Sequence, residues 1–213
     1  MALNAHVKLA DAFKVGSADG PTLVYLDLSI ADKPPRRLRI ELFDEELPYT
    51  TSNFRLLCTG EFVRKGTGKR ALWYKNTRFH RIIPGFMMQG GDFTHAFGRV
   101  FEDESFLFKH QLGAVSMAHQ NNSNKSQFFI CFGPASWCDG KHVVFGQVLA
   151  DDLPHLVECE AVGSSTGLPL QPVVVADCGQ LASDGLLPAA SGSGGGSTGA
   201  AAARAGGGGA TTQ

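Results

Sequence analysis

Most arrangements that could do covalent or metal chemistry in this 213-residue chain fail on spacing. Gly66-Thr-Gly68-Lys69-Arg70 looks like the close of a phosphate-binding loop, but Val63 stands where a glycine is needed and Arg70 where a Ser or Thr would hold Mg²⁺. The seven histidines include no i, i+4 pair around a glutamate, and no carboxylate cluster has ligand spacing, so no metal and no cofactor is expected. Ser116 and Cys131 fall on expected strands, without the sharp Gly-x-Ser-x-Gly elbow that exposes a nucleophile. The basic cluster Arg64, Lys65, Lys69 and Arg70 reads as a solvated loop. What remains is a set of side chains that strand alternation places on shared faces: Arg81 with Ile83, Met87 with Gln89, and Gln127 with Phe129 and Cys131. A guanidinium with five donors, beside amides and apolar surface, suits noncovalent work on a polar bond.

Short elements must position these groups. Val24, Leu26, Leu28 and Ile30 alternate, as do Leu38, Ile40 and Leu42, on either side of Asp32-Lys-Pro-Pro35. That pattern is a hairpin with one buried face. A helix is expected from Thr50 to Cys58, capped by Thr50 or Thr51 and stopped by Gly60. The polar stretch 61–76 has no period and reads as loop. Strands are expected at 79–83, 86–89, 114–118, 127–132, 142–149 and 173–178, with a second helix at 152–160. Phe86 and Met87 cannot both face inward on a regular strand, so Pro84-Gly85 marks a bulge or turn. Many short strands with two helices predict a mainly β fold, a closed antiparallel eight-stranded barrel capped by two α-helices. Fourteen of the fifteen Phe lie between residues 43 and 145, which suits its interior.

Composition sets the outer limits. The net charge of −1 removes the electrostatic argument for nucleic acid or a membrane surface, and no apolar run reaches the roughly 18 residues of a spanning helix. Lys8 and Asp11 interrupt what would be the apolar part of a secretory signal. Five cysteines with no Cys-x-x-Cys pair indicate free thiols, hence a cytoplasmic protein, with the nucleus as the other compartment. Residues 191–213 hold 9 of the 26 glycines and nothing that could pack a core, so 183–213 reads as a flexible tail. Residues 1–20 form an N-terminal extension, leaving one domain at 21–182.

The segments Phe79-His-Arg-Ile-Ile-Pro-Gly-Phe-Met-Met-Gln-Gly-Gly-Asp-Phe93, Phe101-Glu-Asp-Glu104, Ser116-Met-Ala118, Ser126-Gln-Phe-Phe-Ile130 and Trp137-Cys-Asp-Gly-Lys-His-Val-Val-Phe-Gly146 occur in this order. Together with Asn53-Phe-Arg55 and Ala176-Asp-Cys-Gly179 they resemble the cyclophilin family of peptidyl-prolyl isomerases over about residues 21–182. The resemblance implies rotation about X-Pro bonds, assisting folding or switching of client proteins. It makes Arg81 the catalytic donor, with Gln89 helping to hold substrate. By the same resemblance Phe86, Met87 and Phe129 would line the proline pocket, while Ala118, His119, Gln127, Trp137, Cys138 and His142 would bind the rest of the peptide. Proline-containing peptides and cyclosporin-type cyclic peptides are the implied partners of a monomer. The chain departs from the family at His119, usually Asn, at Cys138, often Leu, and in a short loop between Phe93 and Phe101. These changes bear on the region that receives residues before the proline. A binding module that docks proline segments, with isomerisation incidental, is the competing reading; retention of Arg81 favours the enzyme.

Overall fold

Alternation at Val24, Leu26, Leu28 and Ile30 buries all four residues on β1 (Leu23–Ile30), which pairs antiparallel with β2 (Arg36–Leu42) across the proline turn. This computed structural model describes residues 20–63, 70–92, 100–182 and 185–187. The expected extension, apart from residue 20, and the expected tail, apart from 185–187, lie outside the described residues, as do 64–69 and 93–99. The stretch 61–76, read as loop, contains a two-stranded ladder of β3 (Phe62–Val63) and β4 (Arg70–Leu72). The remaining strands are β5 (Arg81–Ile83), β6 (Met87–Gly90), β7 (Ala114–Met117), β8 (Phe128–Cys131), β9 (Val144–Val148) and β10 (Val173–Gln180). With β1 and β2 they form one antiparallel eight-stranded sheet, ordered β10-β1-β2-β9-β7-β8-β6-β5.

The expected closed barrel is corrected by this order. The sheet curls into an open half-barrel, because no ladder joins its edge strands β10 and β5. Residues just ahead of β5 reach β10 instead: Asn76 N–H donates to Val175 O at 2.7 Å and Phe79 N–H to Val173 O at 2.9 Å. The outer edge of β5 is then taken by a loop, with Ile82 N–H donating to Gly167 O at 2.8 Å and Ser164 N–H to Ile82 O at 3.1 Å. An edge already satisfied in this way has no groups left for β10.

Helix α1 (Pro48–Thr59) packs on β1, β9 and β10, and α2 (Leu153–Glu160) on β2, β5 and β6. Neither Thr50 nor Thr51 caps α1. Leu47 precedes the helix without a side-chain cap, and the carboxylate of Glu104 receives Tyr49 N–H at 3.0 Å, Thr50 N–H at 2.9 Å and Thr50 Oγ1 at 2.8 Å. An anion brought from 54 residues away thus satisfies orphan donors at the positive end of the helix. Glu104→Ala is expected to cost about 1–2 kcal/mol, read from the urea midpoint, while the exposed Glu46→Ala leaves it nearly unchanged. The start of α2 is tied to β2 by Asp152, whose carboxylate accepts Arg39 N–H at 2.8 Å, Nε at 2.8 Å and Nη2 at 3.0 Å.

Inside the curl lies an aromatic centre. The ring of Phe54 sits 5.2 Å from Tyr74, 5.0 Å from Phe128 and 4.9 Å from Phe145. A smaller cluster of Met87, Ala114, Phe129, Cys131, Ala135, Cys138 and Val144 is buried on another face. All five thiols are free and buried, and burial pushes Cys131, Cys159 and Cys178 up to about 12.

Candidate active site

Strand alternation splits β5, β6 and β8 between core and cavity. Ile82, Met88, Phe128 and Ile130 enter the main core, while Met87, Phe129 and Cys131 belong to the smaller cluster and Arg81 is exposed. Register then aligns Arg81 with Gln89 across β5 and β6, and Gln89 with Phe129 across β6 and β8. A guanidinium, an amide and a phenyl ring share one row because three short strands have matching register.

That row opens into a cavity of about 540 Å³, lined by Arg81, Phe86, Met87, Gln89, Ala118, His119, Gln127, Phe129, Cys138 and His142. Ten of the eleven residues expected at the site are therefore brought together. Trp137 stays outside the lining: it is 56% exposed and stands beside the cavity with its ring 5.3 Å from Phe86. The turn expected at Pro84-Gly85 is present. Gly85 has φ of 74°, a conformation that costs glycine little, and Phe86 N–H closes the turn on Ile83 O at 3.1 Å. Glu160 of α2 holds the turn by accepting Gly85 N–H at 2.6 Å. Phe86 thus reaches the cavity from the end of the turn while Met87 reaches it from the strand.

Polar groups around the cavity are mutually oriented. Gln89 Nε2 donates to Gln127 Oε1 at 2.7 Å, and Ala118 N–H donates to Gln127 O at 3.0 Å. His142 Nδ1–H donates to Met117 O at 3.0 Å, leaving Nε2 as the acceptor of the neutral ring. Burial and the neighbouring His119 hold His142 below its ordinary pKa. The His119 ring lies 4.9 Å from His142, with a side chain only 5% exposed; its Nε2 is 2.9 Å from Asp103 Oδ1 but not aligned for a hydrogen bond. Among the described residues, no hydrogen bond or ion pair holds the Arg81 guanidinium.

Sequence reasoning missed two groups. Asp92, Gln120, Ser123 and Lys125 also line the cavity, from loop positions that no periodicity marks. Behind Phe129, the His110 ring stacks at 5.6 Å and 4°. His110 Nδ1 lies 2.8 Å from Asp139 Oδ1 and Nε2 lies 2.9 Å from Ser116 Oγ. This Asp-His-Ser chain resembles a hydrolytic relay in its contacts only. Ser116 is wholly buried, its hydroxyl lies 3.1 Å from Val143 O, and burial keeps His110 below its ordinary pKa. Its place is structural, backing the ring that floors the cavity. Between Lys109 and Gln111, His110 carries no sequence signal that could have exposed it.

A curled antiparallel sheet carries, on one row of strands, a cavity lined by a guanidinium, amides and aromatic rings, an arrangement suited to noncovalent binding. The model of the family "Cyclophilin type peptidyl-prolyl cis-trans isomerase/CLD" matches residues 25–180. The chain belongs to this family.

Proposed function

We propose that this chain is a peptidyl-prolyl cis-trans isomerase whose catalytic donor is Arg81. The observation that carries the reading is the row Arg81–Gln89–Phe129, which sets a charged donor beside an apolar cavity wall of Phe86, Met87 and Cys138. An X-Pro bond rotates over a barrier of about 18–20 kcal/mol, and no covalent bond need form or break. Raising a rate of ~0.01–0.1 s⁻¹ to ~10³ s⁻¹ takes about 5.5–7 kcal/mol of preferential transition-state binding. Twisting breaks amide resonance, so the proline nitrogen pyramidalises and becomes an acceptor. A guanidinium aimed there contributes about 1.5–3 kcal/mol through a charge-assisted bond. The rest comes from seating the pyrrolidine ring against Phe86, Met87 and Phe129, and from Gln127 and Ala118 fixing the flanking backbone. Trp137, standing at the rim, offers an indole N–H to a longer peptide or to a cyclosporin-type cyclic peptide. The natural partners are proline-containing segments of client proteins in a reducing compartment, the cytosol or nucleus, which suits five free thiols.

The test is the cis-to-trans exchange rate of short X-Pro peptides, followed by NMR, with and without the cyclic peptide as competitor. Catalysed exchange suppressed by the competitor is expected; exchange at the spontaneous rate overturns the reading. The pH profile is a second check. A guanidinium keeps its charge across the neutral range, and His142, held below its usual 6.5, is already neutral above that value. The rate is therefore expected to be flat from about pH 6.5 to 8. A tenfold fall there would show that a protonated side chain takes part in the step.

A further inference from the structure

The Arg81 guanidinium has no hydrogen-bond or ion-pair partner among the described residues, yet the proposed chemistry needs it held in one place. Its position must then come from contacts along the stem. The loop 163–168 lies along the free edge of β5, bonded through Ile82 N–H to Gly167 O and Ser164 N–H to Ile82 O. Ser164 Oγ stiffens the loop internally, donating to Leu168 O at 2.7 Å and lying 2.9 Å from Thr166 Oγ1. At its tip Gly167 has φ of +87°, and a Cβ there would stand 3.0 Å from Arg81 Cγ, 3.4 Å from Arg81 Nε and 3.5 Å from Ile83 Cγ1. The arginine stem rests where a side chain at 167 would be.

We propose that Gly167 is a positioning residue for the isomerase reaction: the bare backbone of the 163–168 loop is the bed on which the Arg81 side chain lies, and it sets the reach of the guanidinium into the cavity. The inference rests on the isomerase reading, and it gives a working role to a loop that contributes no side chain to the cavity. Two features combine at one residue. The left-handed backbone turns the loop so that Gly167 O can meet β5, and the absent Cβ lets the stem lie flat. A β-carbon at this point pushes on Cγ and Nε, the part of the arginine that aims the fork. Displacement there misaligns the donor while the apolar wall of Phe86, Met87 and Phe129 stays in place.

The experiment is a double-mutant cycle on the full chain, measured as catalysed exchange of an X-Pro peptide together with affinity for that peptide. Gly167→Ala is expected to lower kcat/KM by about tenfold or more with peptide affinity little changed, since misplacing a catalytic group by ~1 Å can cost up to ~100-fold. In the Arg81→Ala background the same substitution is expected to have almost no further effect on rate, because both changes act through one group. Should Gly167→Ala fold poorly, Gly167→Asn keeps the left-handed backbone accessible while still adding a Cβ, and the same loss is expected of it. Wild-type rates in both Gly167 variants overturn the inference, and so does a loss that persists undiminished in the Arg81→Ala background. Both results leave the isomerase reading intact. Failure of the unmodified chain to catalyse exchange overturns that reading, and this one with it.

Discussion

Replacing Arg81 by alanine is expected to lower kcat/KM for X-Pro isomerisation by roughly two orders of magnitude, about 3 kcal/mol of transition-state stabilisation. The size follows from the chemistry. The charge-assisted bond to a pyramidal nitrogen exists only in the twisted state, so its loss falls on the barrier and spares ground-state binding. Affinity for a proline peptide should fall much less, because Phe86, Met87, Phe129 and the bonded amides of Gln89 and Gln127 are untouched. Stability should move by less than about 0.5 kcal/mol, since Arg81 is exposed and forms no ion pair among the described residues. Arg81→Lys should recover little, because an ammonium lacks the planar fork. Exchange spectroscopy and peptide titration on the same samples separate the rate from the affinity. A folded Arg81→Ala protein turning over near the unmodified rate would remove the guanidinium from the mechanism, leaving a cavity that only binds.

How far this arrangement was legible beforehand depends on the kind of information each residue carries. Period-two alternation is a local property, so it placed Arg81 with Ile83 and Phe129 with Cys131 correctly, and the proline-glycine pair correctly signalled a break ahead of Phe86. Closure of the sheet is a non-local property. Whether β5 meets β10 depended on the loop 163–168 occupying the outer edge of β5, and nothing in the alternation of either strand records that competitor. The cap of α1 failed for the same reason: Thr50 is a plausible local cap, but Glu104 supplied a full charge from another part of the chain. The cavity rim at Gln120, Ser123 and Lys125 lies on irregular backbone, where composition carries no direction. His110 was invisible because a single buried imidazole, satisfied by Asp139 and Ser116, looks in sequence like any other histidine.

The largest expected effect on stability lies under the site, at Phe54. This helix residue is fully buried and sits within 5.2 Å of three aromatic rings, among them Phe128, the first residue of the strand that carries Phe129. Phe54→Ala removes the ring from a centre where Phe128 meets it edge-on at 84° and Tyr74 is fixed by its own 2.6 Å bond to Ser126 O. Neighbours held on separate strands and by hydrogen bonds cannot collapse freely into the space, so the cavity cost adds to the lost transfer energy. The expected loss is about 3–5 kcal/mol, a large share of the 5–15 kcal/mol that typically holds a domain folded. At roughly 2–4 °C per kcal/mol for a chain of this size, the melting midpoint should fall by about 6–20 °C. Tyr74→Phe keeps the ring and removes only the hydroxyl, so it should cost about 1 kcal/mol through loss of the bond to Ser126 O. Turnover per folded molecule should survive Phe54→Ala at low temperature, because the row Arg81–Gln89–Phe129 is set by strand register. Were turnover instead to collapse while the fold held, the aromatic centre would be controlling the placement of Phe129 through its strand neighbour Phe128.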